Sequence, residues 1–166
     1  VLTGTLMDRL NKGMFALRAT EAAIKNSGID LSAYDNRRIS VVLGSYNSGT
    51  DSYSTMFNKV LNNEQDAVTN SELMSSMLSH CGNAIAARYN IQGKNIVVSS
   101  ACSSSLTAVG IATDLLHSDK ADVVICGGSD CVDLPVVAGF HSLSALNEGR
   151  CAPFSEPKGI NLGEGA

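Results

Sequence analysis

The chain has 166 residues, a length that fits a single domain, and 44% of them are hydrophobic, enough for a globular core. Only 17% are charged, and so low a charge together with so many apolar residues excludes an intrinsically disordered tail. The net charge of −4 comes with no block of Lys or Arg, which argues against nucleic-acid binding because phosphate neutralisation needs clustered positive charge.

Neither a membrane span nor an export signal is visible in the sequence. The apolar runs are only a handful of residues long, too short to cross a bilayer. The first residues, Val1 to Gly4, have no basic flank and no long apolar stretch, as a secretory signal would require. We therefore expect a cytoplasmic protein without a membrane partner.

The first elements along the chain are a predicted helix and a predicted strand. Lys12 to Ser27 carries apolar residues at helical spacing and is followed by Gly28, a residue typical of helix C-caps. Arg38 to Ser45 is a short β-branched run that predicts a buried strand. The loop from Gly44 to Gly49 lacks the lysine of a phosphate-binding loop, so the sequence argues against phosphate binding there.

The remaining elements continue the alternation of helices and strands. Helices are predicted at Asp51 to Leu61, Ser71 to Tyr89, Leu106 to His117 and Pro135 to Leu146, and strands at Asn95 to Ser99 and Ala121 to Cys126. The strands are apolar throughout instead of alternating. This pattern is typical of an α/β fold whose parallel or mixed sheet carries helices on both faces.

The five cysteines are odd in number and form no C-x-x-C pair, so neither a disulfide framework nor a zinc site is predicted. They are Cys81, Cys102, Cys126, Cys131 and Cys151. Free cysteines usually behave as small buried hydrophobes, and we expect this of all except Cys102.

Cys102 stands where a strand passes through a turn of small residues into a helix that starts near Ser103. The positive end of the helix dipole and the unpaired N–H groups there favour a thiolate nucleophile. The backbone N–H of Cys102 would then bind the oxyanion formed on attack, as in the nucleophile elbow of hydrolases. The alternative is that Cys102 only fills space while the serines after it cap the helix.

A cysteine nucleophile normally has a histidine partner, and the chain contains three histidines. His117 closes a predicted helix, while His80 and His141 fall inside predicted helices. None has a flanking pattern that indicates a catalytic base, so local chemistry leaves the nucleophile without an evident partner.

Four short motifs follow one another along the chain. They are S-A-C-S-S-S-L from Ser100 to Leu106, G-G-S-D from Gly127 to Asp130, V-A-G-F from Val137 to Phe140 and G-I-N-L-G-E-G-A from Gly159 to Ala166. In this order they resemble the active-site motif, the G-G-[AST]-[DE] turn, the V-A-G-F helix and the G-F-x-x-G-E-G-A segment of the β-ketoacyl synthases, condensing enzymes of the thiolase fold. The resemblance covers nearly the whole chain.

The resemblance implies that residues 1–166 are the N-terminal domain of a 3-oxoacyl-(acyl carrier protein) synthase. That domain is half of a layered α-β-α-β-α, thiolase-like fold with a mixed sheet. Cys102 would accept an acyl group from acyl carrier protein, and the carbanion from a decarboxylated malonyl thioester would attack it. The family's two catalytic histidines and its lysine belong to motifs after G-E-G-A, which are missing from these 166 residues, so this half alone would be inactive.

Further expectations also rest on the resemblance. A homodimer would form by pairing of the strand before Cys102, and no cofactor or metal is implied. The low charge would reflect burial against the second half and a second subunit. Asn47 stands in the loop that gates the family's acyl pocket, where fatty-acid enzymes commonly carry an aliphatic residue. Asn47 thus leaves the chain-length preference open. A polyketide ketosynthase is the alternative to a fatty-acid enzyme, because C-S-S-S-L is at least as common there, and a non-condensing partner subunit of the same fold also stays open.

Overall fold

The computed structural model describes residues 12–46, 50–156 and 159–166. Within these ranges the helices are α1 (Lys12–Ser27), α2 (Thr50–Leu61), α3 (Asn70–Ser76), α4 (His80–Arg88), α5 (Ser104–His117) and α6 (Leu134–Ser142), and the strands are β1 (Ile39–Gly44), β2 (Asn95–Val98) and β3 (Val123–Gly128). Short 3-10 turns occupy Leu31–Ala33, Asn36–Arg38 and Gln65–Ala67. None of the described helices is long and apolar enough to cross a membrane.

The three described strands form one sheet in the order β2-β1-β3, and all of them run parallel. Every residue of β1 is buried, because this strand lies between two others and under helices on both faces. Its run of β-branched and apolar side chains, I-S-V-V-L-G, is the composition that such a position requires. The predicted α/β class is therefore confirmed.

The helices divide between the two faces of this sheet. On one face, α1 and α4 pack against each other and cover a core that contains Ala16, Ile39, Val41 and Ile85. On the other face, α5 is the described helix that covers a second core, around Val42. Because successive strand residues point to opposite faces, the neighbours Val41 and Val42 belong to different cores. The layers are therefore helix, sheet and helix.

An ion pair ties the start of β1 to the loop between α5 and β3. The Arg38 Nη2 group lies 2.6 Å from a carboxylate oxygen of both Asp119 and Asp122. The hydrogen bond from Arg38 lowers the pKa of Asp122. Arg38 and Asp122 are partly exposed and Asp119 is almost fully exposed, so the bridge orients the segments more than it stabilises the fold.

The segment from Ser71 to Tyr89, predicted as one helix, is two helices with a break at residues 77–79. Ser75 and Ser76 donate hydroxyl hydrogen bonds to carbonyls three residues earlier, and Met77 follows in an extended conformation. Hydroxyls of this kind compete with the helical hydrogen bonds of the backbone. The prediction was wrong here because apolar spacing continues across a break that local polar groups create.

A capping box and an ion pair hold α3 against α2. The Thr69 hydroxyl oxygen accepts from the Glu72 N–H, and the Glu72 carboxylate accepts from the Thr69 N–H. Lys59 of α2 donates to the same carboxylate at 2.6 Å. Hydrogen bonds from Lys59 and Thr69 lower the pKa of Glu72 to about 2. The two helices are thus joined through one carboxylate.

Helix α6 is shorter at its C-terminus than the predicted range of Pro135 to Leu146. It starts as expected, with Pro135 in its first turn and the Asp133 side chain capping the Val136 N–H. It ends because Ser144 adopts a left-handed conformation (φ +52°) and the Ala145 N–H bonds to the Phe140 carbonyl, a Schellman motif. Sequence reasoning missed this end because the left-handed residue is a serine and not the usual glycine.

Candidate functional site

The carboxyl ends of the three described strands meet at one edge of the sheet, because the strands are parallel. The Ser45 N–H donates to the Val98 carbonyl, and the Ser129 N–H donates to the Gly44 carbonyl, each at 3.0 Å. The segments that leave the strands therefore lie side by side. In open α/β sheets this edge is where ligands bind.

Cys102 lies at this edge, in the turn between β2 and α5, and its side chain is exposed. The turn is closed by hydrogen bonds from the Ser103 N–H to the Ser100 carbonyl and from the Ser104 N–H to the Ala101 carbonyl. Ala101 is left-handed (φ +53°), which makes the turn sharp. The predicted passage from strand through turn to helix is thus present, and Cys102 is exposed on the surface of this turn.

The serines around Cys102 brace the turn and do not cap α5. Ser103 is the N-cap residue, yet its side chain makes no capping hydrogen bond. Its hydroxyl instead donates to the Ser100 carbonyl at 2.8 Å, and the Ser100 hydroxyl lies 2.9 Å from that of Thr107. The predicted alternative, a plain serine cap with Cys102 as filler, does not describe these contacts.

Two glycines let the first turn of α5 lie directly on the sheet. A Cβ at Gly44 would overlap the backbone of Ser104 and Ser105, and a Cβ at Gly128 would overlap the side chain of Ser105. Any larger residue would push the helix start away from the strand ends. The position of the Cys102 turn thus depends on these two glycines.

Asp130 joins three segments at the same edge. Its carboxylate accepts from the Ser45 hydroxyl at 2.8 Å and from the Tyr46 N–H at 3.0 Å, and its backbone forms two hydrogen bonds with Gly165. The Glu164 carboxylate accepts from the Val132 N–H at 3.2 Å. The fold therefore brings together the G-G-S-D and G-E-G-A strings. Sequence reasoning assigned no role to Asp130, although a carboxylate directly after a strand-ending Gly-Gly was a usable signal.

The structure gives Cys102 no histidine partner within the described residues. His80 is the first residue of α4, while His117 and His141 lie in the last turns of α5 and α6. No described side chain forms a hydrogen bond with the Cys102 thiol. The described part of the chain also contains no group of three His, Cys, Asp or Glu residues placed to hold a metal ion.

Of the other four cysteines only Cys81 is buried, so the prediction that all four are buried hydrophobes was wrong for three of them. Cys131 and Cys151 are half-buried, and Cys126 lies exposed on β3, an edge strand of the described sheet. Neighbouring atoms still desolvate the Cys126 thiol and raise its pKa, which disfavours its thiolate. Asn47, the predicted gate residue, lies outside the described residues.

Comparison with known proteins identifies a family model and several relatives. The model of the β-ketoacyl synthase N-terminal domain matches residues 5–166. The chain is 28% identical to nodulation protein E of Rhizobium leguminosarum bv. trifolii, over 96% of this chain and 40% of that protein. Against 3-oxoacyl-[acyl-carrier-protein] synthase 2 of Coxiella burnetii the identity is 24%, with coverages of 92% and 39%.

A further relative is the tetracenomycin polyketide synthase ketoacyl synthase alpha subunit of Streptomyces glaucescens, 30% identical over 91% of this chain and 39% of that protein. The chain thus spans about 40% of the length of each of these three curated relatives. One of these relatives is named as a nodulation protein, one as a 3-oxoacyl-[acyl-carrier-protein] synthase and one as a polyketide synthase subunit.

Solved structures share the fold. A ketosynthase complex with a type II polyketide synthase acyl carrier protein superposes with a TM-score of 0.83 at 22% identity, over 93% of this chain and 41% of the other. A ketosynthase of Xenorhabdus doucetiae in complex with its chain length factor gives 0.79 at 25% identity, over 93% and 39%. The thiolase-like architecture predicted from the motifs is confirmed.

Proposed function

The chain belongs to the β-ketoacyl synthase family, and from that premise we propose that it carries the nucleophile of a decarboxylative condensing enzyme, with Cys102 as the acyl acceptor. One observation carries the proposal: Cys102 is exposed on a sharp strand-to-helix turn at the carboxyl edge of a parallel sheet. Cys126 is also exposed, but it lies within a strand and its pKa is raised by desolvation, whereas Cys102 stands at the start of a helix.

In the first half-reaction, the Cys102 thiolate attacks the thioester carbonyl of an acyl carrier protein. A bond forms between Cys102 Sγ and the carbonyl carbon, and the Cys102 N–H stabilises the oxyanion of the tetrahedral intermediate. The intermediate collapses with loss of the carrier thiolate, which takes up a proton, and the acyl group remains on Cys102 as a thioester. Small neighbours such as Ala101 and Ser103 leave room for this approach.

In the second half-reaction, a malonyl thioester of the carrier protein loses carbon dioxide and becomes a carbanion. The carbanion attacks the acyl-cysteine carbonyl, a carbon–carbon bond forms, and the Cys102 thiolate leaves. The product is a β-ketoacyl thioester. The family's decarboxylating histidines belong to motifs that are absent from residues 1–166, so condensation needs more than these residues.

The pathway we propose first is fatty-acid synthesis, and the likeness to the 3-oxoacyl-[acyl-carrier-protein] synthase 2 of Coxiella burnetii supports it. A polyketide ketosynthase is the second candidate, favoured by the tetracenomycin relative at 30% identity. A non-condensing partner subunit is the third, because the Xenorhabdus doucetiae ketosynthase is bound to a chain length factor. The intact Cys102 argues against the third candidate, since such subunits usually replace the nucleophile.

The partners that we propose are acyl carrier protein and a second copy of the protein, in the cytoplasm. In the described sheet β2 is an edge strand, which leaves one side of it available for pairing across a two-fold axis. The exposed large apolar side chains, such as Leu134 and Leu143 (75% and 73% exposed), support burial of further surface in the assembled enzyme. Asn47 remains our candidate for the acyl-pocket gate.

Acylation of the full-length protein tests the proposal directly. Incubation with an acyl-(acyl carrier protein) should place one acyl group on Cys102, and Cys102→Ser should abolish this mass shift. Cys131→Ser is the matched control, because Cys131 is half-buried near the same sheet edge and should be dispensable for acylation. An acyl group that survives in Cys102→Ser would reject the mechanism.

Alkylation provides a second, substrate-free test. Iodoacetamide should modify Cys102 before the other cysteines, because Cys81 is buried and the pKa of Cys126 is raised. Mass mapping after brief exposure measures the order. Equal early labelling of Cys126 and Cys102 would remove the argument that the turn activates Cys102.

A further inference from the structure

Ser104, the first residue of α5, carries a buried hydroxyl that bridges the Cys102 turn. The residue is 3% exposed, whereas its neighbours Ser103 and Ser105 are exposed. Its Oγ donates to the Ala101 carbonyl at 2.6 Å and accepts from the Ser100 N–H at 2.9 Å. A buried hydroxyl with both a donor and an acceptor partner is fixed in one orientation.

The Ala101 carbonyl therefore has two donors from the same residue, the Ser104 N–H at 3.1 Å and the Ser104 hydroxyl at 2.6 Å. This carbonyl belongs to the peptide unit whose N–H is that of Cys102. A trans peptide is planar, with C=O and N–H pointing in opposite directions. Because the carbonyl points at the start of α5, the Cys102 N–H points away from it.

The Cys102 N–H is also left available. No described residue accepts a hydrogen bond from it, and Cys102 is exposed. The hydroxyls of Ser103 and Thr107 do not act on this peptide, since they bond to Ser100 and Ser103. Ser104 is thus the described residue that holds the Ala101–Cys102 peptide plane.

We propose that Ser104 is a positioning residue that aims the Cys102 N–H at the developing oxyanion. The inference rests on the proposed function, because it assumes attack of Cys102 on a thioester. Removal of the hydroxyl leaves the Ala101 carbonyl with one donor, and the peptide plane rotates more freely. The N–H then stabilises the oxyanion less well, and the loss falls on kcat because oxyanion stabilisation acts in the transition state.

Two reactions at the same thiol separate this role from a structural one. Acyl transfer passes through an oxyanion, whereas alkylation by iodoacetamide is a direct displacement at carbon and forms none. In full-length Ser104→Ala we expect kcat for acyl transfer to fall about tenfold, with KM and the Cys102 alkylation rate within about twofold of wild type. Ser105→Ala is the matched control, since Ser105 is exposed and makes no hydrogen bond with a described residue.

Hydrogen exchange of the peptide that contains Ser100 provides a further measurement, which does not depend on activity. The Ser100 N–H should exchange faster in Ser104→Ala, since its acceptor is gone. Parallel loss of acyl transfer and alkylation would overturn the proposal in favour of a structural role, and unchanged acyl transfer would overturn it outright. A wild-type protein that takes up no acyl group would instead reject the proposed function, so the two failures are distinguishable.

Discussion

The two sides of α5 differ in the size of their side chains more than in their polarity. The side that faces the sheet is buried and is formed mostly by small residues, Ser104, Ala108 and Ala112, with Leu115 near its end. The opposite side, here called the outer side, carries Leu106 (75% exposed), Val109 and Leu116. Burial on this helix therefore does not follow hydrophobicity.

Close approach of the helix to the sheet explains the difference. Gly44 lies against the backbone of Ser104, and Gly128 lies against Ser105, so only small side chains fit at the start of the inner side. The larger apolar residues consequently lie on the outer side, where they are exposed because no described residue covers them. Packing distance decides which of two apolar sides becomes the core.

The largest effect on stability should come from Gly44→Ala, which disrupts the contact between β1 and the inner side of α5. The new Cβ would overlap backbone atoms of Ser104 and Ser105, which cannot rotate away as a flexible side chain can. We expect a loss of at least about 3 kcal/mol in the free energy of unfolding, at the upper end of overpacking effects. Urea unfolding checks this value, and a loss below about 1 kcal/mol would show that α5 is not tightly seated.

A matched pair of leucine truncations compares the two sides directly. Leu115→Ala removes a side chain that is 7% exposed and should cost about 2 to 3 kcal/mol through lost burial and a cavity. Leu106→Ala, about two and a half turns earlier and 75% exposed, should cost less than about 1 kcal/mol. The two urea midpoints provide the measurement. Equal losses would mean that another part of the full-length protein covers the outer side.

The smallest effect, with the opposite sign, is expected for Gly110→Ala. Gly110 lies in the interior of α5, is exposed, and would have no atom within 4 Å of an added Cβ. Alanine should stabilise the helix by about 0.5 to 1 kcal/mol, because glycine loses more backbone entropy on folding. Thermal unfolding of this variant and of Gly44→Ala provides the comparison. The melting temperature should rise for Gly110→Ala and fall for Gly44→Ala, whose glycine lies against the inner side of α5. A destabilised Gly110→Ala would contradict an open outer side.

Much of the element pattern was predictable because it rests on local periodicity. The helix Lys12–Ser27 was predicted with its observed bounds, and all three described strands were located. The errors arose where side chains act on their own backbone. Ser75 and Ser76 break a helix whose apolar spacing continues, and Ser144 ends another in a left-handed conformation.

The candidate site was predictable in part. Cys102 stood out because a reactive residue between a strand and a helix is a local pattern. The roles of Asp130 and Ser104 were not visible, because each depends on which atoms the fold brings near its side chain. Asp130 meets Ser45, which lies 85 residues earlier in the chain, a contact that no sequence spacing predicts.

The sequence by itself determined the α/β alternation, the turn that presents Cys102 and the resemblance to a family. These features depend on residue type and short-range order, which a sequence displays directly. Only the tertiary structure decided which side of α5 is buried and which hydroxyl holds the Ala101 carbonyl. Leu106, Val109 and Leu116 have the apolar spacing of a helix, yet they lie on its exposed outer side, whereas Ala112 is buried. Periodicity identifies the helix, but the approach of Gly44 to Ser104 determines the side that fits against the sheet.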